Sequence, residues 1–315
     1  MILRRMIQSG LSGRPVMPDP SFPVSAAFTQ CASGARAAGY VPPPESRGAE
    51  LPITSCGAVR VHHEEHGSGP AVVWIPGTGL YGSSWAPQTD HFADRYRCLT
   101  VDLRGAGSEG PLDGLTVADL AGDVAAWMDA IGVGPAVVVG LSLGSAVAQE
   151  LALARPDLVR ALGLVATWSS TAREHHIRRH FESRLYALEK GPLDVFAQFA
   201  FWMSAPSVID DEPELQRRVE ALLGEHTSRN PPGTAAHFRA DLSHETRDRL
   251  STISCPTLVV HGDQDLITLP WYNRAVAAAI PGARLETIAA AGHLVWLERP
   301  DLLNDALESL LASST

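Results

Sequence analysis

Lysine is nearly absent from this 315-residue chain: of its 25 basic residues only Lys190 is lysine, and the rest are arginine. A Walker-type phosphate loop needs Gly-Lys-Ser/Thr, and Lys190 precedes Gly191, so nucleotide hydrolysis of that kind is excluded. A lysine Schiff base would fall to the same residue, which stands in a Glu-Lys-Gly stretch without an apolar pocket to lower its pKa. Cysteine is also scarce, with Cys31, Cys56, Cys98 and Cys255 far apart and no CxxC pair. That spacing fits reduced, structural thiols and a cytosolic setting. No run of 18 apolar residues exists, so no membrane span is expected. Net charge is −10 without a basic stripe, which argues against a nucleic-acid partner.

What is present is globular: 45% hydrophobic and 19% charged residues, with 27 glycines and 23 prolines. Residues 1–50 read as a flexible leader ending in Pro42-Pro43-Pro44. Arg4 and Arg5 mimic the start of an export signal, but Gly, Pro, Ser and Asp break the apolar core that such a signal needs. An over-extended start, with Met17 the true beginning, is the alternative. From Leu51 short β-branched runs alternate with helical spacing, the pattern of a parallel sheet covered by helices. The expected strands are 71–75, 98–102, 136–139, 161–165, 257–260 and 285–288, with 59–65 as an antiparallel lead-in. Helices are expected over 117–131 and 145–154. Residues 168–250 break the alternation with helical stretches alone, which predicts an inserted cap between core segments 51–167 and 251–315.

Two motifs compete for the chemistry. Gly77-Thr78-Gly79-Leu80-Tyr81-Gly82 fits G-x-G-x-x-G after a strand, with Asp102 where a ribose-binding acid would stand. Pro76 before the first glycine, and Pro87 within the helix that should follow, argue against a nicotinamide cofactor. Gly140-Leu141-Ser142-Leu143-Gly144, between the 136–139 strand and the next helix, is a G-x-S-x-G nucleophile elbow. A serine needs a base and a group to orient it. Asp263 and Asp265 follow the 257–260 strand, and His293 follows the 285–288 strand, in the order Ser, Asp, His.

With these three stretches in place, and with Val295-Trp296-Leu297-Glu298-Arg299-Pro300 after His293, the chain from about Val59 to Leu310 resembles the capped α/β-hydrolases. It is most similar to their enol-lactonase and haloperoxidase-like esterase branches. The resemblance implies an α/β-hydrolase fold, a mostly parallel central sheet with an inserted helical cap, and no cofactor or metal. It implies Ser142 as nucleophile, His293 as base and Asp265 as its orienting acid, with Asp263 left as a turn residue. It also implies oxyanion donors at the Thr78 and Leu143 backbone N–H groups, which turns the glycine-rich loop to a use other than dinucleotide binding. Two departures stand out: Pro76-Gly77 replaces the usual His-Gly, and Glu109 occupies a position where serine is common.

Trp85, Trp168, Phe199, Trp202 and Trp296 are candidates to line an acyl pocket, each against a plain packing role. The histidines at 62, 63 and 66, and those at 175, 176 and 180, read as surface groups rather than zinc ligands. The function implied is hydrolysis of a small hydrophobic carboxylic ester or lactone. Acyl transfer, thioester cleavage or cyclisation on the same fold, and a non-catalytic ligand-binding member, are the alternatives.

Overall fold

The computed structural model describes residues 52–191 and 199–313. The leader expected over 1–50 and the part of the expected cap at 192–198 lie outside the described residues.

Eight strands form one sheet in the order β1-β2-β4-β3-β5-β6-β7-β8. They are β1 Ile53–Cys56, β2 Val59–His66, β3 Ala71–Ile75, β4 Arg97–Val101, β5 Ala136–Leu141, β6 Val159–Val165, β7 Thr257–Gly262 and β8 Arg284–Ile288. β2 runs antiparallel to β1 and β4, and every other pairing is parallel. The central strands read as unbroken apolar runs because helices cover both faces. Successive residues alternate between the two cores: Val73 and Val138 enter one cluster, Val72, Trp74 and Val139 the other.

The first cluster packs under α2 (Val117–Ala130), α3 (Leu143–Ala154) and α8 (Pro270–Ala279), and the second under α1 (Ala86–Phe92), α9 (Val295–Glu298) and α10 (Pro300–Ala312). α2 starts at a full capping box. Thr116 accepts from the Asp119 N–H while the Asp119 carboxylate accepts from the Thr116 N–H, satisfying donors that the first turn leaves free. α3 begins at Leu143, two residues before the helical spacing of the sequence predicts, so it starts directly behind Ser142.

Between β6 and β7 the chain leaves the sheet for a helical excursion: α4 (His175–Lys190), a 3₁₀ turn at Phe199–Met203, α5 (Pro206–Asp211), α6 (Pro213–Arg229) and α7 (Pro231–Ser243). Prolines at the starts of α5, α6 and α7 occupy first-turn positions where the missing N–H costs nothing. α4 packs on α7, and Ile177, Phe181 and Phe238 from this pair join the first core cluster. Among the described residues no helix is long and apolar enough to cross a membrane.

Candidate active site

Ser142 sits at the β5–α3 junction with φ 49° and ψ −118°, a strained left-handed conformation for a residue with a side chain. The flanking glycines make the turn possible. A Cβ on Gly140 would lie 2.1 Å from the Gly144 carbonyl oxygen, and one on Gly144 would lie 2.2 Å from that of Ile75. The Ser142 N–H donates to the Val165 carbonyl at 2.9 Å, and its own carbonyl accepts from the Ser145 hydroxyl at 2.6 Å. Behind it, Ser145, Thr167 and Gln149 form a buried hydrogen-bonded chain that continues to Thr246, just beyond α7.

The fold brings three separated stretches together at this point. His293 Nε2 lies 3.0 Å from Ser142 Oγ, and its Nδ1 lies 3.0 Å from Asp265 Oδ2. Asp265 Oδ1 accepts the backbone N–H groups of Ile267 at 2.7 Å and Thr268 at 3.0 Å, and Oδ2 accepts the Thr268 hydroxyl at 2.6 Å. A carboxylate can only accept, so this arrangement puts the ring proton on Nδ1 and leaves the Nε2 lone pair facing the serine. Asp263 does not reach the histidine ring; its carboxylate faces the Ala291 N–H at 3.5 Å. Buried Glu298, from the stretch after His293, accepts the N–H groups of Gly292 at 2.6 Å and Ala205 at 3.0 Å, tying the histidine loop to the excursion.

The glycine-rich loop runs beside Ser142: a Cβ on Gly77 would stand 3.5 Å from the serine Cβ. Leu143 opens α3, so its N–H belongs to the first turn, whose donors lack intrahelical acceptors. The excursion grips this loop at three points. The Thr78 hydroxyl donates to Asp241 Oδ2 at 2.8 Å, and the Gly79 and Tyr81 N–H groups donate to Nδ1 of His237 and His226, each at 3.1 Å. His237 Nε2 faces the Arg104 carbonyl at 2.8 Å, which makes that nitrogen the donor. Burial pushes both rings down to about 4 and the Asp241 carboxyl up to about 8.

The dinucleotide pattern dissolves in three dimensions. Asp102 Oδ1 accepts the Gly82 N–H at 2.6 Å, so the acid meant for a ribose instead ties down the third glycine of its own motif. Pro87 does not interrupt a helix, as the sequence pattern suggests; it stands in the first turn of α1. Glu109 pairs with Arg60 at 2.9 Å, and Ser108 fastens the loop by donating to the Asp102 carbonyl and accepting the His62 N–H.

Gly77, Thr78, Ser142, His293 and Trp296 line a cavity of about 30 Å³, bordered also by residues of α4 and α7. The other aromatic candidates lie elsewhere. Trp85 is fully buried in the second core cluster beside Trp74 and Trp296, and Trp168 is fully buried against Phe181 and His244, its indole N–H held by Thr171. Both are enclosed by core neighbours and neither lines that cavity. Trp202 is 52% exposed, edge-on to Phe201, since its turn presents it to solvent. Phe199 opens that turn, and its side chain lies outside the described residues.

His180, expected on a solvated face, lines the cavity, and so does Arg184, which sequence reasoning passed over. The signal was there: Ile177, Phe181 and Arg184 fall on one helical stripe, and an arginine at the third position of an apolar stripe is an anomaly. His226, His237 and Asp241 were also missed, since nothing local marks a side chain that bonds a loop some 150 residues earlier.

Comparison with known proteins places the chain in a family. A protein of Mycobacterium tuberculosis named as a non-heme bromoperoxidase, BpoC, is 31% identical over 260 residues, covering 81% of this chain and 98% of its own. An esterase structure from Thermogutta terrifontis with malate bound superposes with a TM-score of 0.75 at 26% identity, covering 85% of this chain and all of that one. The enol-lactonase of Burkholderia xenovorans LB400 gives 0.73 at 25% identity, covering 83% and 100%. The sequence profile of the alpha/beta hydrolase family matches residues 72–306, and the chain belongs to that family.

Proposed function

We propose that this hydrolase-family enzyme cleaves a carboxylic ester or lactone of a small substrate through an acyl-enzyme on a Ser142-His293-Asp265 triad. The observation that carries the reading is the continuous contact from Asp265 through His293 to Ser142, both links at 3.0 Å, at a cavity lined by Ser142 and His293. Ser142 Oγ attacks the carbonyl carbon while His293 Nε2 takes its proton, and Asp265 holds the imidazolium that forms. The tetrahedral oxygen lies toward the Thr78 and Leu143 N–H groups; each donor in such a hole lowers the barrier by ~2.7–4 kcal/mol. As the C–O bond to the leaving group breaks, His293 returns the proton to the departing alkoxide. A water, deprotonated by the same nitrogen, then releases the acid and restores the serine.

Residues 168–250 act as a cap in this reading, since α4 and α7 border the cavity and α7 holds the oxyanion loop. The esterase and enol-lactonase names of the structural relatives support the same chemistry.

The test is a panel of p-nitrophenyl esters and lactones with the wild type, Ser142→Ala and His293→Ala. Each substitution is expected to lower kcat/KM by a factor on the order of 10³ or more. Labelling by a fluorophosphonate should be lost in Ser142→Ala. Equal hydrolysis by all three proteins would overturn the assignment.

A further inference from the structure

α4 brings to the cavity beside Ser142 a polar ring that the proposed mechanism does not use. His180 stands one residue before Phe181 of the core stripe, is half-buried, and lines the same cavity as Ser142 and His293. Other histidines around the site are engaged. His226 and His237 hold the N–H groups of Tyr81 and Gly79, and His293 spans Ser142 and Asp265. His176, one turn before His180, bonds the Leu266 carbonyl at 2.8 Å. Among the described residues neither ring nitrogen of His180 has a hydrogen-bond partner. Its ring meets Phe181 edge-on at 6.0 Å and lies in the field of Arg184, His293 and His176. Burial, with the charge of Arg184 adding to it, keeps the ring well below its ordinary range, so it is neutral at pH 7. A neutral imidazole carries one N–H donor and one acceptor, which suits an uncharged polar group rather than an ion.

The field of His293 reaches His180, which puts this ring on the side of the base. In the proposed reaction the departing oxygen takes its proton from His293 Nε2, so the alcohol part of the ester lies on that same side.

We propose that His180 is a specificity-determining residue that hydrogen-bonds the alcohol part of the substrate, and that the preferred ester is one whose leaving alcohol carries a second, uncharged hydroxyl. The monoester of a short diol is the simplest example. A hydroxyl donates and accepts, so it can satisfy either nitrogen of the ring. An alkyl group in its place leaves the ring unpaired and desolvated, and that penalty is the discrimination. The proposal rests on the reading of Ser142 as nucleophile and assigns what the alcohol side of that site selects.

The experiment compares 2-hydroxyethyl acetate with propyl acetate, in which a methyl replaces the hydroxyl, by pH-stat, each rate divided by that of alkaline hydrolysis of the same ester. The wild type should prefer the hydroxy ester by about fivefold or more in kcat/KM, the range that one neutral hydrogen bond supplies. The matching pair on the acyl side, methyl 3-hydroxypropanoate and methyl butanoate, should differ by no more than about twofold, since no such bond forms there. His180→Phe keeps a ring and removes both nitrogens, and should bring the acetate ratio to about one; His180→Gln, which restores a donor and an acceptor, should recover part of it. A ring that only packs would lower both acetates alike and leave the ratio unmoved. Equal normalised turnover of the two acetates by the wild type, a preference confined to the acyl-side pair, or an unchanged ratio in His180→Phe would overturn the assignment; the first two outcomes need no variant to fold. Ser142-dependent hydrolysis of both acetates at equal normalised rates would leave the hydrolase reading standing and remove only this one. A His180-dependent preference in hydrolysis that survives in Ser142→Ala would do the reverse.

Discussion

Gly144 shows how tightly single residues are specified at the turn that carries Ser142. Its hydrogen faces backbone: an added methyl would meet the Ile75 carbonyl oxygen at 2.2 Å and that of Pro76 at 2.6 Å, neither of which a side-chain rotation can relieve. Gly144→Ala should therefore push α3 away from β3, unfold at lower urea by at least ~2 kcal/mol, and lose most fluorophosphonate labelling of Ser142. Wild-type labelling rate with unchanged stability would contradict the close approach. Gly224, in α6, is a fitting control because a Cβ there meets nothing within 4 Å. The elbow was legible from sequence because the constraint is local: two glycines and the residue between them create the turn.

At the scale of elements, α7 matters more than its composition suggests. Its buried side chains His237 and Asp241, one turn apart, hold the Gly79 N–H and the Thr78 hydroxyl, so this helix sets the position of the proposed oxyanion loop. Their protonation has opposite consequences. Asp241 keeps its proton to about pH 8 when folded and loses it near 3.8 when unfolded, so its stabilisation is full below pH 3.8 and falls as pH rises to 8. His237 titrates at about 4 folded against 6.5 unfolded, so its stabilisation is full above pH 6.5 and is lost as pH falls toward 4. The slopes oppose one another between pH 4 and 6.5. Asp102 and Glu174, raised to about 7, add to the acid side only up to that pH. Above pH 7 Asp241 dominates, and wild-type unfolding free energy should drop by ~1 kcal/mol per pH unit toward pH 8. Urea unfolding of Asp241→Asn at pH 7.0, 7.5 and 8.0 should show a flatter dependence; parallel slopes would rule out a buried, protonated Asp241.

Across the whole molecule, the excursion is continuous with the sheet. Ile177, Phe181 and Phe238 share one buried cluster with the β5 and β6 core, and Gln149 of α3 bonds Thr246 beyond α7. The described parts of sheet and excursion should unfold together, with far-UV circular dichroism and tryptophan fluorescence tracing coincident urea transitions. Leu164→Ala, at a fully buried site in β6, should shift both by about 2–5 kcal/mol. An early fluorescence phase separated from the loss of helicity would show that the excursion melts alone.

The same distinction between local and distant causes divides what could be read from sequence. Strand runs such as Ala71–Ile75 and the strand–turn–helix junction at Ser142 were legible, because apolar period and turn chemistry are written in neighbouring residues. Asp265 was separable from Asp263 only by resemblance; the structure separates them by distance, since one reaches His293 Nδ1 and the other the Ala291 N–H. Aromatic residues were left open by sequence: Trp85 and Trp168 are core, Trp202 is on the surface and Trp296 lines the cavity, because side-chain identity does not say which neighbours enclose it. The sequence by itself determined the class of fold and the elements that carry Ser142, Asp265 and His293. Only tertiary structure decided that Asp241, His237 and His226 grip the loop at 78–81 and that Arg184 lines the cavity beside Ser142, because these contacts depend on how the excursion packs back across the sheet.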